Sequence, residues 1–247
     1  HEGHLSLIRK AKQDNEVVVV SIFVNPIQFG KNEDLDRYPR DFERDYSLCE
    51  KEGVDYLFYP SVSDMYPEDF KTYVEVIDIS NVLCGKYRPG HFRGVATVVL
   101  KLFNIVQPDN VYFGEKDYQQ LKIIQRMVKD LNVPVNVIGC PIFREHDGLA
   151  MSSRNKYLSE EERKSAVFIS KALFEVKKAF DSGIKDVNLL KEIGLNILKQ
   201  APLIREVQYF EIVHPESLKS KEIAENSDIV AVAVYVGNTR LIDNIRL

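Results

Sequence analysis

Several features are scarce or absent in this sequence, and each absence argues against a class of protein. The 247-residue chain has no tryptophan and three cysteines, Cys49, Cys84 and Cys140. Because the cysteines are odd in number and far apart, we expect neither a disulfide framework nor a zinc site, and a reducing cytoplasm is the simplest setting. The longest apolar runs span about eight residues, whereas a transmembrane helix needs about 20. No signal peptide is recognisable.

A marked excess of positive charge is also missing. Lys and Arg number 33 against 37 Asp and Glu, so the formal net charge is −4. A general nucleic-acid-binding protein usually carries a strong basic excess, which disfavours that class. Hydrophobic residues make up 45% and charged residues 28% of the chain, as in ordinary globular proteins. The length therefore suits one large domain or two small ones with a real hydrophobic core.

The order of apolar segments predicts an α/β fold in the first part of the chain. Residues 17–24, VVVVSIFV, are typical of a strand buried on both faces of a parallel sheet. Further strands are predicted at 55–59, 73–77, 111–113 and 135–139. Helices are predicted between them at 4–12, 42–51, 95–106 and 118–131. This alternation favours a Rossmann-like parallel sheet with right-handed crossovers.

The pattern changes after about residue 142. A long helix is predicted at 159–180, with Ser159 and Glu162 forming a capping box, and a second helix follows at about 186–199. Strands are predicted at 207–213, 229–236 and 240–242. Helices followed by strands indicate an α+β domain. We therefore predict a Rossmann-like nucleotide-binding domain over residues 1–142 and a smaller α+β domain over residues 143–247.

The chain opens with a motif that suits phosphate binding. In HEGH, His1 and His4 are three residues apart, so in a helical turn they share one face. Gly3 permits a close approach to the backbone, and the start of a helix attracts phosphate through its free amides and dipole. A pair of surface histidines is an equally open interpretation. The spacing also suits a metal, although no third ligand is evident.

Two later motifs carry groups suited to a nucleotide. GEKD, residues 114–117, directly follows a predicted strand, where open α/β sheets bind ligands. There Lys116 can neutralise phosphate and Asp117 can accept hydrogen bonds from ribose hydroxyls. MSSRN, residues 151–155, joins two hydroxyls to Arg154, a donor cluster suited to a polyphosphate. Taken singly, each motif is more often a solvated turn or a capping loop.

Three neutral amides complete the candidate set. Asn25 and Gln28 follow the first predicted strand, and Gln120 lies one turn into the helix after GEKD. Amides bind the hydroxyl and carboxylate oxygens of small ligands in defined orientations. Taken singly, each of them is more often a loop or cap residue.

The ordered set of motifs is more specific than any single one. HEGH, then GEKD, then MSSR resemble in their order the HIGH and KMSKS signatures of the nucleotidyltransferase superfamily. Six stretches, two of which contain GEKD and MSSR, carry a more specific resemblance. FVNPIQF, RYPR, RPGHFRGV, FGEKDYQQ, DGLAMSSRN and RLIDN together resemble the pantoate–β-alanine ligase (pantothenate synthetase) family over nearly the whole chain.

The resemblance implies a ligase of pantothenate and coenzyme A biosynthesis. Such enzymes condense (R)-pantoate with β-alanine to pantothenate, AMP and pyrophosphate through a pantoyl adenylate. ATP would be the co-substrate and Mg²⁺ would enter with it. A cytoplasmic homodimer, with no nucleic-acid or membrane partner, is implied as well.

The same resemblance implies roles for individual residues. His4 is expected to be catalytic, as a proton donor. Gln28 and Gln120 are expected to bind pantoate, with Gln28 also near β-alanine. No metal ligand is assigned, although Glu43 and Asp45 are candidates, and the C-terminal domain would act as a lid. The expected ATP-binding residues are His1, Glu2, Gly3, His4, Gly114, Glu115, Lys116, Asp117, Phe143, Met151, Ser152, Ser153 and Arg154.

The sequence departs from the family pattern in two places. Family members carry a strand and a PTMGAL-like stretch before HEGH, whereas this sequence begins at His1. We expect a preceding segment that supplies a central strand and part of the ATP site, because a missing central strand would expose the core of the sheet. Cys84 stands where some relatives carry an acidic residue, which affects only a peripheral contact.

Three other functions remain open. A nucleotidyltransferase acting on a phosphate acceptor would use the same HxGH motif, although FVNPIQF and the paired glutamines favour a carboxylate substrate. A fragment of an aminoacyl-tRNA synthetase is disfavoured by the net charge of −4 and by the lack of a basic C-terminal domain. The third is a nucleotide-binding module without catalysis.

Overall fold

The computed structural model describes residues 1–31 and 33–247. These residues form two compact units. The first comprises His1–Asn81, Arg88–Glu115 and Gln119–Pro141, and the second comprises Val82–Tyr87, Lys116–Tyr118 and Ile142–Leu247. Two short segments upstream of residue 142 therefore belong with the second unit, and one of them contains Lys116.

The helices begin and end largely where capping residues indicate. They cover Glu2–Asp14 (α1), Phe42–Lys51 (α2), Val62–Met65 (α3), Leu83–Tyr87 (α4), His91–Val106 (α5), Tyr118–Asp130 (α6), Glu160–Asp181 (α7) and Val187–Leu198 (α8). The Ser159–Glu162 capping box predicted for α7 is confirmed. The side chain of Asp41 caps α2, which matches its predicted bounds. Helix α5 begins at His91 rather than at Val95.

The strands form two parallel pairs and one antiparallel sheet. They cover Val19–Ser21 (β1), Tyr56–Phe58 (β2), Asn110–Gly114 (β3), Asn136–Cys140 (β4), Ile204–Val213 (β5), Ile229–Val236 (β6) and Thr239–Arg246 (β7). β1 pairs with β2, and β3 pairs with β4, both in parallel. β6 lies between β5 and β7 and is antiparallel to both. The predicted fold class, an α/β region followed by an α+β region, is confirmed.

Two predicted strands differ in the structure. The segment predicted as a strand at 17–24 pairs only over Val19–Ser21, with the three residues of β2. It is not buried on both faces either, since the exposed fractions of Val17 and Val19 are 58% and 37%. The strand predicted at 73–77 is absent from the described residues. There the Val74 N–H donates to the Thr97 hydroxyl at 2.9 Å instead of to a neighbouring strand.

The second unit contains the larger hydrophobic core. Helices α7 and α8 bury Leu173 and Leu190 completely, alongside the side chains of β6. A Cβ on Gly194 of α8 would lie 2.2 Å from Phe210 Cζ of β5, so glycine is required for this close approach. Burying each such leucine contributes about 1.5–3 kcal/mol, so this layer stabilises the unit strongly. No helix in the described part of the chain is long and apolar enough to cross a membrane.

Candidate active site

The two histidines of HEGH lie together at the start of α1. His1 is the N-cap residue, and its Nδ1 accepts from the His4 N–H at 3.3 Å. The two imidazole rings stack with centroids 3.8 Å apart and an interplanar angle of 16°. Both rings therefore share one face at the positive end of the helix, where their N–H groups can donate to an anion. The Glu2 carboxylate pairs with Arg9 at 2.8 Å, so that side chain is occupied within the helix.

The candidate metal ligands do not form a site. Glu43 and Asp45 both lie in the first turn of α2. Residues two apart on a helix point to different faces, so these carboxylates do not hold one ion together. Among residues 1–31 and 33–247, no group of three His, Cys, Asp or Glu side chains is arranged to bind a metal.

Asn25 is the buried centre of the loop after β1. Its exposed fraction is 3%, and its Nδ2 lies 3.0 Å from the Gly94 carbonyl oxygen and 3.0 Å from Gln28 Oε1. A carbonyl oxygen only accepts, so the Gly94 carbonyl fixes which end of the Asn25 amide is the donor. The Tyr66 hydroxyl then donates to Asn25 Oδ1 at 2.7 Å. Burial raises the pKa of Tyr66, which keeps this phenol protonated as a donor.

This arrangement also determines which end of the Gln28 side-chain amide can donate to a ligand. Because Gln28 Oε1 accepts from Asn25, the Nε2 group is the end left for a ligand. Gln28 Nε2 makes no hydrogen bond to any residue that the structure describes. The loop therefore presents a half-buried donor, suited to a carboxylate or hydroxyl oxygen.

Two adjacent glutamines at the start of α6 have different surroundings. Gln119 is buried, and its Nε2 donates to the Ile79 carbonyl oxygen at 2.8 Å. Gln120 is half-buried, and its side-chain amide makes no hydrogen bond within the described ranges. Gln119 thus supports the fold, while Gln120 has an amide available to a ligand. Gly114 and Glu115 lie just before this helix, at the carboxyl end of β3.

Lys116 and Asp117 belong to the second unit, where the C-terminal strand holds the backbone of Lys116. Asn244 Nδ2 donates to the Lys116 carbonyl oxygen at 3.0 Å. The side chain of Lys116 is 19% exposed and that of Asp117 is 50% exposed, with Lys116 Nζ 4.0 Å from Asp117 Oδ1. The contact gives the terminal RLIDN stretch a structural role: it fixes the segment that carries the lysine.

A buried ion pair lies next to this contact. Arg144 forms a two-pronged pair with Asp243, with Nη1–Oδ2 and Nη2–Oδ1 distances of 2.6 and 3.0 Å. The Asp243 side chain is 1% exposed. Burial raises the pKa of Asp243, and the hydrogen bonds and charge of Arg144 oppose that rise. Arg144 also donates to the Asn244 carbonyl oxygen at 3.1 Å, so the pair anchors the end of β7.

A short hairpin holds Phe143 beside Met151. The Met151 N–H donates to the Phe143 carbonyl oxygen at 2.9 Å, and the Glu145 N–H donates to the Leu149 carbonyl oxygen at 2.8 Å. Gly148 closes the turn with a φ of +90°, which glycine adopts without strain. Phe143 is 38% exposed, and its N–H makes no hydrogen bond to described residues. That N–H remains available to a ligand.

The MSSR stretch leads into a short 3₁₀ helix, Ser153–Tyr157. Ser152 is its N-cap and accepts from the Arg154 N–H at 3.2 Å. Asn155 Nδ2 donates to Glu145 Oε1 at 2.7 Å and to the Ala150 carbonyl oxygen at 3.1 Å. Ser152 therefore has a capping role as well as a hydroxyl that can donate.

The candidate residues divide between the units. The first unit holds His1, Glu2, Gly3, His4, Gln28, Gly114, Glu115 and Gln120, and the second holds Lys116, Asp117, Phe143 and Met151–Arg154. Sequence reasoning missed Tyr66 and Gly94 as supports of the Gln28 loop. The glycine in RPGHFRG was the available signal for a close backbone approach, whereas nothing local to Tyr66 indicated its contact.

Comparison with known proteins identifies the family. The family model described as Pantoate-beta-alanine ligase matches residues 1–246. A pantothenate synthetase from Sulfurihydrogenibium sp. is 69% identical over 245 residues, covering 99% of this chain and 88% of that protein. Another from Caldicellulosiruptor bescii is 60% identical, covering 99% of this chain and 86% of that protein. The chain belongs to the pantoate–β-alanine ligase family.

Solved structures of the family share the fold. The pantothenate synthetase of Thermus thermophilus is 48% identical with a TM-score of 0.96, over 99% of this chain and 88% of that one. A pantoate-β-alanine ligase of Francisella tularensis, complexed with β-γ ATP and β-alanine, is 38% identical with a TM-score of 0.80. The match to that ligase covers 100% of this chain and 85% of the other.

Proposed function

We propose that the chain catalyses the ATP-dependent condensation of pantoate with β-alanine to pantothenate, releasing AMP and pyrophosphate. The observation that carries this proposal is the match of residues 1–246 to a ligase family, together with relatives that are 69% and 60% identical. The Francisella relative was solved with an ATP compound and β-alanine, two of the three substrates that the reaction requires.

The first step forms an acyl adenylate. A pantoate carboxylate oxygen attacks the α-phosphorus of ATP, a new O–P bond forms, and the bond to the bridging oxygen breaks to release pyrophosphate. Gln28 Nε2 and the Gln120 amide orient pantoate by donating to its oxygens. His1, His4 and Lys116 stabilise the negative charge that develops on the phosphoryl oxygens, and His4 donates a proton to an oxygen of the departing pyrophosphate.

The second step forms the amide. The β-alanine amine attacks the acyl carbon of pantoyl adenylate, a C–N bond forms, and AMP departs as the C–O bond breaks. The nitrogen then releases a proton to solvent. The hydrogen-bond donors of the Gln28 loop keep the acyl group oriented between the two steps.

ATP binding is assigned to thirteen residues in this proposal. The contacts are assigned to His1, Glu2, Gly3, His4, Gly114, Glu115, Lys116, Asp117, Phe143, Met151, Ser152, Ser153 and Arg154. Asp117 accepts from the ribose, and the Phe143 backbone contacts adenine. The unused Phe143 N–H and the half-exposed Asp117 carboxylate support these roles. Residues 1–142 would form the ATP- and pantoate-binding domain and residues 143–247 the lid.

Mg²⁺ would enter with ATP and neutralise its phosphates. Phosphate oxygens and water satisfy most of its octahedral coordination in such sites. This fits a chain whose candidates Glu43 and Asp45 do not face one ion.

A cytoplasmic homodimer completes the proposal. The three cysteines are buried free thiols, which supports a reducing compartment. The homodimer is supported by the family resemblance, and sedimentation at several protein concentrations tests it.

The test is a pantoate-dependent ATP–pyrophosphate exchange assay, followed by addition of β-alanine. Exchange that requires pantoate, and AMP plus an amide product once β-alanine is present, is the expected result. Folded protein that binds ATP but exchanges nothing with pantoate would contradict the ligase function. Nucleotide transfer to a phosphorylated acceptor without amide formation would instead support a nucleotidyltransferase.

A further inference from the structure

A chain of polar side chains holds the backbone of Gln28. His91, the first residue of α5, is buried, and its Nδ1 lies 2.9 Å from the Gln28 carbonyl oxygen. On the other side of the ring, Nε2 lies 3.1 Å from Arg88 Nη1. Arg88 donates in turn to both carboxylate oxygens of Glu33, with an Nε–Oε1 distance of 2.8 Å.

The partners of His91 fix its tautomer. A carbonyl oxygen only accepts a hydrogen bond, so the proton must sit on Nδ1. A guanidinium only donates, so Nε2 must be the acceptor toward Arg88. His91 is therefore the neutral Nδ1–H tautomer and donates to the main chain of Gln28.

Helix α5 controls both the backbone and the side chain of Gln28. A Cβ on Gly94 would lie 2.5 Å from the Ile27 carbonyl oxygen and 2.7 Å from Gln28 Cα, so the first turn of α5 lies directly against the loop. The Gly94 carbonyl orients Asn25, and Asn25 holds Gln28 Oε1. One helical turn thus supplies the hydrogen bond to the carbonyl of Gln28 and the contact that orients its amide.

We propose that His91 is a positioning residue for the pantoate step. As a neutral Nδ1–H donor it fixes the Gln28 carbonyl, and with it the direction in which Gln28 Nε2 donates to the carboxylate or hydroxyl oxygens of the acid. His91 itself touches no substrate. This inference rests on the proposed function, because it requires pantoate to bind at Gln28.

Three substitutions at position 91 test whether the Nδ1–H donor of His91, rather than the volume of its side chain, positions Gln28. In His91→Asn, the amide NH₂ reaches about the position of Nδ1, whereas in His91→Gln it reaches that of Nε2. We expect His91→Ala and His91→Gln to raise the pantoate KM about tenfold in the exchange assay, the equivalent of one lost hydrogen bond. The ATP KM should stay within about twofold of wild type, and His91→Asn should recover most of the pantoate affinity.

Thr97→Val is the matched control. Thr97 lies in the same helix, is 3% exposed, and makes partly buried hydrogen bonds to the backbone of Arg93 and Val74 rather than to the Gln28 loop. A melting temperature lowered as much as in His91→Ala, with an unchanged pantoate KM, supports positioning. An equal rise of pantoate KM in Thr97→Val would overturn it. If His91→Ala does not fold, equal pantoate KM values for His91→Asn and His91→Gln would also overturn it.

Gln28→Ala distinguishes failure of this inference from failure of the assignment beneath it. If Gln28→Ala raises the pantoate KM while the His91 variants leave it unchanged, the positioning role alone is wrong. If Gln28→Ala itself leaves the pantoate KM unchanged, pantoate does not bind at Gln28, and both proposals fall. A raised pantoate KM in Gln28→Ala, together with a lower pantoate KM in His91→Asn than in His91→Gln, supports both.

Discussion

The Gln28 loop and the Met151–Arg154 loop are held by different means. Buried side chains hold the first: Asn25 is 3% exposed and bonds to a helix backbone 69 residues away. A local hairpin and ion pairs hold the second: the Arg163 and Glu145 side chains are 26% and 21% exposed, and Arg144 of the same hairpin pairs with the buried Asp243. A neutral amide must be aimed, because a hydrogen bond weakens steeply with angle. Charges on a polyphosphate tolerate looser placement, because Coulomb attraction falls only gradually with distance.

The two units also differ in the length of their strands. The first unit has strands of three to five residues. Those of the second unit have eight to ten residues. We therefore expect substitutions at anchors of the second unit to act mainly on stability, and those around Gln28 to act on substrate binding as well.

The largest expected effect is loss of stability in the second unit. Asp243→Asn leaves the guanidinium of Arg144 without its buried carboxylate, which should lower the free energy of unfolding by about 3–5 kcal/mol. Urea denaturation measures this. Glu161→Gln is the control, because its pair with Lys164 is 70% exposed on both sides and should contribute under about 1 kcal/mol. Equal stabilities for the two variants would show that the buried pair is not an anchor.

Next in size is the loss of charge at Lys116. Lys116→Ala should lower kcat for pantoate-dependent exchange about 100- to 1,000-fold, because the cation stabilises developing phosphoryl charge. The melting temperature should hardly change, since Asn244 holds the backbone of residue 116 and not its side chain. Lys129→Ala, at an exposed position of α6, removes the same charge as a control. Turnover close to wild type in Lys116→Ala would remove the lysine from the mechanism.

Gly94→Ala tests the close contact of α5 with the Gln28 loop. The new methyl group would overlap the Ile27 carbonyl, so we expect a destabilisation of about 1–3 kcal/mol and a raised pantoate KM. The control is Gly30→Ala, where an added Cβ meets Glu33 at an ordinary 3.6 Å. An unchanged pantoate KM in Gly94→Ala would mean that the loop need not be aimed.

The smallest expected effect is at Glu33. Burial raises the pKa of this carboxyl, but the hydrogen bonds and charge of Arg88 lower it more, so the net shift is downward. A lowered pKa gives stability that is present above the ordinary value of about 4.3 and is lost as the pH falls through the folded-state pKa. Glu33→Gln should therefore cost about 1 kcal/mol at pH 7, because glutamine still accepts one hydrogen bond from Arg88, and progressively less in acid. The free energies of unfolding of wild type and Glu33→Gln, measured at pH 7 and pH 3, check this. A stability difference larger at pH 3 than at pH 7 would contradict a lowered pKa of Glu33.

Elements that depend on interactions local in sequence were predictable, whereas elements that depend on distant residues were less so. Capping at Asp41 and Ser159 and the apolar run at β6 are local, and the predicted bounds of α2 and β6 match the structure. The strand predicted at 17–24 was too long because an apolar run does not reveal how many residues its partner offers. Strand pairing depends on residues that are distant in sequence, so short strands are the least predictable elements.

The same distinction applies to the candidate site. The shared face of His1 and His4 follows from helical spacing alone. The contacts that orient Gln28 join residues 41, 63 and 69 positions apart in sequence, so no local pattern indicated Tyr66 or His91 as its supports. The motifs thus provided candidate groups for the ligand, and only the fold reveals which end of the Gln28 amide is already bonded to Asn25.

The most direct test of this account is the kinetics of Gln28→Glu. This change keeps an oxygen to accept from Asn25 but replaces the outward donor Nε2 by a negatively charged acceptor. If Gln28 donates to the pantoate carboxylate, like charges will meet, and the pantoate kcat/KM in the exchange assay should fall at least about 100-fold. The ATP KM should change little. A pantoate kcat/KM near that of wild type would contradict the claim that an aimed amide donor binds the acid.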